Sequence, residues 1–101
     1  MKWIHKKIKT VAVLGGSGSF AISNAKRAGA DAFVSADFKY HDFFKAEGDL
    51  LITDIGHYES EQFTKDLLVS FLTKKISNFA PALPECKVVL SHTHTNPISY
   101  L

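Results

Sequence analysis

Short apolar runs alternate with amphipathic stretches along the chain. Three such runs predict buried strands, at residues 9–14, 31–36 and 50–55. The stretches that follow these runs predict helices, at residues 20–28, 42–47 and 59–76. Residues 87–90 form a further apolar run and predict a fourth strand. Strands that alternate with helices are typical of an α/β domain, so we predict a mixed, mostly parallel sheet of about four strands covered by helices.

Glycine and proline mark where these elements end. Gly29 follows the first predicted helix and is the expected stop residue. Pro81 and Pro84 predict a loop before the fourth strand. Residues 1–8 are polar with isolated apolar positions, so we predict an N-terminal arm followed by a single α/β domain over residues 9–101.

Composition narrows the possible partners and compartments. The chain has 101 residues, 46% of them hydrophobic, which suits one domain with its own core. Its 12 basic and 10 acidic residues give a net charge of +2, so the charge balance does not predict a nucleic-acid partner. One cysteine allows no intrachain disulfide, and no apolar run approaches the ~20 residues of a membrane span. We therefore predict a cytoplasmic protein.

A glycine-rich turn follows the first predicted strand. Gly16, Ser17 and Gly18 lie where backbone N–H groups at a helix start could bind a phosphate. The third glycine of a dinucleotide fingerprint is replaced by Ala21, and no phosphate-binding Gly-Lys-Ser/Thr follows. The alternative is a tight turn beside a pocket.

His57 and Glu61 come after the third predicted strand and are four residues apart. If a helix begins near residue 57, both side chains lie on one face, one turn from each other. An imidazole and a carboxylate at this spacing can hold one divalent ion between them. The alternative is a hydrogen-bonded histidine beside a solvated carboxylate. A metal site with an open position needs at least three protein ligands.

Further polar residues follow neighbouring strands. Asp37 and His41 come after the second predicted strand and could face the same cleft as His57, because parallel strands end on the same side. Asp54 is another candidate, or it caps the following helix. His92 and His94 alternate on the fourth predicted strand and could bind a metal or form the polar face of an edge strand.

Three stretches together resemble one protein family. They are residues 11–19 (VAVLGGSGS), 30–42 (ADAFVSADFKYHD) and 54–61 (DIGHYESE). In this order they resemble the C-terminal part of the dinuclear-metal proteins described as GTP cyclohydrolase 1 type 2-like, also called the NGG1-interacting-factor-like family. The resemblance covers about residues 9–101, and Gly-His-Tyr-x-Ser-Glu at residues 56–61 is its most specific element.

The resemblance implies two metal ions (zinc, iron or manganese) in a cleft, a hydrolase-like activity and homo-oligomers, usually hexameric toroids. His57 and Glu61 stand where the family has metal ligands. Asp37, Tyr40 and His41 would line the same cleft and position substrate. The family's remaining ligands come from an N-terminal half with an adjacent histidine pair, and this chain has no such pair.

These observations predict a C-terminal fragment of a hydrolase-like protein that contributes part of a metal site and is inert alone. Its expected partner is the missing N-terminal half, and the apolar surface left without that half would favour self-association. Two alternatives stay open. One is a non-catalytic assembly or partner-binding module, and the other is a small nucleotide-phosphate binder that uses residues 15–19.

Overall fold

A computed structural model describes residues 7–79 and 87–101 of the chain. Its contacts divide the chain into two compact units, one that ends at Glu61 and one that begins at Gln62. The predicted loop at Pro81 and Pro84, the cysteine Cys86 and most of the predicted N-terminal arm lie outside the described residues.

The first unit is built on a sheet of three parallel strands. Strand β2 is central, and in the register Ala32 lies between Val11 of the first strand and Leu51 of the third. The predicted α/β class is confirmed, although every strand pair in the described residues is parallel rather than mixed. The strands are β1 (Val11–Ser17), β2 (Ala32–Ala36) and β3 (Leu51–Asp54).

Two helical segments connect the strands. A 3-10 turn at Ser19–Ala21 leads into helix α1 (Ile22–Arg27), and a second 3-10 segment at Tyr40–Ala46 lies between β2 and β3. Helix α1 ends where Gly29 takes a positive φ of 79°. The N–H of Gly29 donates to the carbonyl of Lys26, and the next N–H along donates to the carbonyl of Ala25. This Schellman pattern confirms the predicted stop.

A small apolar core lies between the sheet and these helices. Phe33 of β2 is at its centre and is 2% exposed, and its ring meets Phe38 edge-on at 5.7 Å between centroids. This packing fixes the position of the strand ends, from which the candidate site is built. The buried cluster comprises Ile22, Ala25, Ala30, Phe33, Ala46, Leu50 and Ile52.

The sequence pattern predicted that strand β1 ends before the glycines. The strand instead continues to Ser17. Its register against β2 shifts between Val13 and Ser17, which marks a bulge. The bulge is possible because Gly16 adopts a φ of +75°. A bulge removes backbone groups from ladder pairing, and here the hydroxyl of Ser35 donates to the carbonyl of Leu14 at 2.6 Å.

The predicted helix over residues 59–76 is wrong as a single element. Helix α2 (His57–Glu61) ends the first unit, and helix α3 (Thr64–Phe79) belongs to the second. A two-residue turn separates them. No sequence signal marks this break, because the turn residues Gln62 and Phe63 are neither glycine nor proline. None of the helices in the described part of the chain has the length and hydropathy needed to cross a membrane.

The predicted fourth strand at residues 87–90 is also wrong. Residues 87–101 carry neither helix nor strand. A strand needs a neighbour that pairs with its N–H and C=O groups, and an apolar run alone does not supply one. Within the second unit, the Lys65 ammonium donates to the carbonyl of Ser91 at 2.9 Å, which ties this segment to α3.

Candidate metal site

The polar residues of the first unit converge at the carboxyl ends of its strands. Ser17 is the last residue of β1, Asp37 directly follows β2, and His57 begins α2 after β3. The three strands are parallel, so these ends lie at one edge of the sheet. This edge brings together residues that are 20 and 40 positions apart in the sequence.

The turn between β3 and α2 positions His57. Asp54 accepts two backbone hydrogen bonds. One comes from the N–H of Gly56 in this turn at 3.0 Å, and the other comes from the N–H of Phe38, after β2, at 3.2 Å. Gly56 adopts a φ of +86°, which reverses the chain into the helix. The Asp54 bond within the turn goes to the N–H of Gly56, which precedes α2, so Asp54 stabilises the turn and not the first turn of the helix.

His57 lies between two carboxylates. Its Nδ1 is 2.6 Å from Asp37 Oδ2, and its Nε2 is 3.1 Å from Glu61 Oε2. Helix α2 begins at His57, so the predicted placement of His57 and Glu61 one turn apart on one face is confirmed. All three side chains are about half exposed, at 49%, 47% and 50%.

Hydrogen bonds shift the pKa values of Asp37 and His57. The Ser17 hydroxyl and then His57 hydrogen-bond to Asp37, and these contacts lower the pKa of its carboxyl group. The hydrogen bond to Asp37 raises the pKa of the His57 imidazole, and the charge of Glu61 adds to this effect. The site therefore favours the ionised carboxylate of Asp37 and the protonated imidazole of His57.

Gly16 lets the His57–Glu61 pair lie close to strand β1. A Cβ at residue 16 would collide with the Glu61 carboxylate and would lie 3.4 Å from His57 Nε2. Only a residue without a side chain therefore fits where the bulge of β1 faces the imidazole and the carboxylate. Ser60 holds the bulge in place, because its Oγ accepts from the N–H of Gly16 and donates to the His57 carbonyl, both at 2.8 Å.

The same geometry bears on the predicted phosphate site. The N–H of Gly16 donates to Ser60, and the N–H of Gly18 donates to the carbonyl of Ala36 at 3.0 Å. The Ser17 hydroxyl donates to Asp37. These donors are therefore engaged within the protein, and the nearby Glu61 carboxylate would repel a phosphate.

The other candidates have different surroundings. Tyr40 packs its ring edge-on against His41 and Phe44, at 5.2 Å in both cases, and both Tyr40 and His41 are exposed. Their role in positioning substrate stays a prediction. His92 and His94 are exposed residues of the second unit and lie in a segment without strand structure.

A divalent ion fits the His57–Glu61 pair only in part. One imidazole nitrogen and one carboxylate oxygen, on adjacent turns of a helix, are suitable ligands for zinc, iron or manganese. Across residues 7–79 and 87–101, however, no three His, Cys, Asp or Glu side chains are grouped so that they could hold an ion. The described residues thus offer two ligands and no third one beside them.

The chain is similar to proteins of a known family. The family model described as Duf34/NIF3 (NGG1p interacting factor 3) matches residues 1–97. The chain belongs to the DUF34/NIF3 family. The resemblance inferred from the three sequence stretches is thereby confirmed.

Curated members of the DUF34/NIF3 family include proteins named GTP cyclohydrolase 1 type 2 homolog. The one from Staphylococcus epidermidis is 36% identical over 94 residues, which are 92% of this chain and 25% of the relative. The one from Bacillus subtilis is 36% identical over 95 residues, or 93% and 24%. The crystal structure of a Bacillus cereus protein related to NIF3 matches with a TM-score of 0.79 and 32% identity, over 93% of this chain and 25% of that one. The chain thus spans about a quarter of its relatives.

Reasoning from the sequence identified Asp37 and His57 separately and missed the contact between them. It also missed the roles of Ser35 and Ser60, whose hydroxyls bond to the backbone of β1 and α2. The signal for Ser60 was its position three residues after His57, where a helical serine can reach back to the first turn.

Proposed function

We propose that this chain contributes His57 and Glu61 as two ligands of a metal site in a hydrolase-like DUF34/NIF3 protein. The observation that carries the proposal is the 3.1 Å approach of His57 Nε2 to Glu61 Oε2 at the bulge of β1, where only glycine fits at residue 16. An exposed imidazole nitrogen and a carboxylate oxygen so placed can share one cation.

The chain's own residues have distinct parts in this proposal. His57 and Glu61 would bind the ion, and the turn stabilised by Asp54 would hold both at one edge of the sheet. A bound divalent ion would supply Lewis acidity for attack by water on the phosphorus of a phosphoryl group or on a ring carbon. The remaining ligands, the second ion and the substrate contacts would come from the rest of a longer protein or from another chain. Alone, the chain is expected to bind metal weakly and to be inactive.

Zinc titration of the purified chain in competition with a chromophoric chelator tests this proposal. We expect weak binding that is lost in His57→Ala and in Glu61→Ala. His92→Ala is the matched control, because it removes an exposed histidine of the second unit and should leave zinc binding unchanged. Equal zinc affinity in the wild type and His57→Ala would contradict the proposal. Metal-dependent turnover by the isolated chain would contradict the expectation that the chain is inactive alone.

A non-catalytic assembly module remains the second candidate because of helix α3. Leu67, Leu68 and Phe71 on this helix are 69%, 52% and 54% exposed. Large apolar side chains so exposed favour association with another protein surface. Sedimentation of the wild type and of Leu67→Lys tests this: a larger wild-type species that dissociates in the variant supports assembly.

A further inference from the structure

The two ring nitrogens of His57 face different carboxylates. Nδ1 faces Asp37 at 2.6 Å, and Nε2 faces Glu61 at 3.1 Å. The two nitrogens of an imidazole point away from each other, so an ion on Nε2 cannot also touch the carboxylate at Nδ1. Asp37 therefore cannot complete the ligand set of an ion held by Nε2 and Glu61, although it contacts the same imidazole.

The position of the proton on the imidazole ring indicates what Asp37 does instead. A neutral imidazole carries one N–H and one lone pair, and an ionised carboxylate only accepts hydrogen bonds. With the proton on Nδ1, the ring donates to Asp37, and the lone pair of Nε2 points toward Glu61. Two acceptors then face each other, which is unfavourable unless a cation lies between them. Histidine ligands commonly donate their second N–H to a carboxylate in this way.

Asp37 is itself held in place by the surrounding structure. Its backbone adopts a φ of 59°, which is uncommon for a residue other than glycine. The hydroxyl of Ser17 donates to the same oxygen that faces His57. Ser17 Oγ is also 3.5 Å from Nδ1, and its bond to Asp37 directs its proton away from the ring. The backbone conformation and the bond from Ser17 thus hold the Asp37 carboxylate in one orientation.

We propose that Asp37 is a positioning residue that keeps the proton of neutral His57 on Nδ1 and so leaves Nε2 free to bind a divalent ion beside Glu61. In its statement about the ion, this inference rests on the proposed function; in its statement about the tautomer, it does not. It gives Asp37 a role through His57, which differs from the substrate-positioning role implied by the family resemblance.

The tautomer can be measured directly by 15N NMR of the histidine side chains in the full chain. The spectra are recorded without metal in alkaline buffer, where His57 is neutral, and His57→Gln identifies its signals. Asp37→Gly removes the acceptor, and glycine adopts a positive φ without strain. Glu47→Gly is the matched control, because Glu47 is another exposed carboxylate with a positive φ, of 52°.

We expect a pyrrole-like Nδ1 and a pyridine-like Nε2 in the wild type and in Glu47→Gly. In Asp37→Gly we expect this preference to be lost. A wild type with its proton on Nε2 would overturn the inference. The same Nδ1–H tautomer in the wild type and Asp37→Gly would also overturn it.

Zinc titration of the same variants in the same alkaline buffer adds a second readout. Loss of a partner that orients a histidine ligand typically lowers metal affinity about 10–100-fold, and we expect a decrease of this order in Asp37→Gly. Asp37→Asn keeps one acceptor oxygen and should lose less. Unchanged zinc affinity in Asp37→Gly would contradict the inference. A tautomer change in a chain whose wild type binds no zinc would reject the proposed function and still support the role of Asp37 on His57.

Discussion

The two ends of strand β2 each carry an aspartate, and the two carboxylates are used differently. Asp31, just before the strand, is buried, and its Oδ2 accepts hydrogen bonds from the backbone N–H groups of Lys9 and Thr10, each at 2.9 Å. Asp37, just after the strand, is half exposed, and its Oδ2 bonds to the side chains of Ser17 and His57.

The difference separates a structural end of the sheet from an end available for chemistry. Backbone N–H groups cannot leave Asp31 unless the chain itself moves, so that carboxylate fixes the path of the segment before β1. Side chains can rotate or exchange a proton while the fold stays intact. A carboxylate held by side chains at the carboxyl ends of parallel strands is therefore suited to a site, whereas one held by backbone is suited to stability.

The largest expected effect comes from removing the buried carboxylate. Asp31→Ala leaves two backbone donors without their charged acceptor, so we expect a loss of about 2 kcal/mol in the free energy of unfolding. Asp37→Ala should cost clearly less, because its partners are exposed side chains that water can solvate. Urea denaturation of both variants measures the difference. If Asp37→Ala destabilises the chain as much as Asp31→Ala does, the comparison fails.

A smaller effect on stability, with a specific effect on the site, is expected for Gly16→Ala. Its positive φ should cost about 1 kcal/mol of stability, and its Cβ would press on the Glu61 carboxylate beside Nε2. We therefore expect zinc binding to be weakened or lost.

Gly29→Ala is the control for that variant. Gly29 has a similar φ of +79°, but a Cβ there would meet nothing within 4 Å. We expect the same loss of stability in urea denaturation and no change in zinc affinity. Equal effects of the two variants on zinc binding would show that Gly16 matters only through backbone strain.

The smallest expected effect is a pH dependence at the site end. The pKa of His57 is raised above its ordinary 6.5, so its stabilising contribution is full below about pH 6.5 and is lost as the pH rises through the raised value. The pKa of Asp37 is lowered below its ordinary 3.8, so its contribution is full above about pH 3.8 and is lost as the pH falls through the lowered value.

The stability of the wild type relative to His57→Ala should therefore be greatest between about pH 4 and 6.5. Ser17, Asp37 and Glu61 are the polar groups that face His57 from β1, the end of β2 and α2. Urea denaturation of both proteins across this range measures the effect. A difference that grows above pH 6.5 would contradict the assigned direction of the His57 shift.

The sequence located the elements of the first unit but not the details that make the site. Apolar runs gave all three strands, and Gly29 gave the end of α1, because these depend on local burial and backbone preference. The His57–Glu61 pairing followed from helical spacing alone. The bulge at Gly16 did not follow, because a glycine after an apolar run indicates equally a turn or an irregular strand.

Two of the errors have one physical origin. The break between α2 and α3 and the unpaired segment at residues 87–90 depend on which partners each stretch has in three dimensions. Periodicity measures only the capacity of a segment to bury one face. It carries no information on whether a neighbouring strand or helix is present to cover it.

The sequence by itself determined the α/β class, the family and the residue types at the candidate site. The tertiary structure alone decided that Asp37 contacts His57, that Asp54 stabilises the turn before α2 and that Glu61 packs against Gly16. These outcomes depend on the parallel register, which places the ends of β1, β2 and β3 at one edge of the sheet. Contacts between residues 20 and 40 positions apart are set by that register and not by any local pattern.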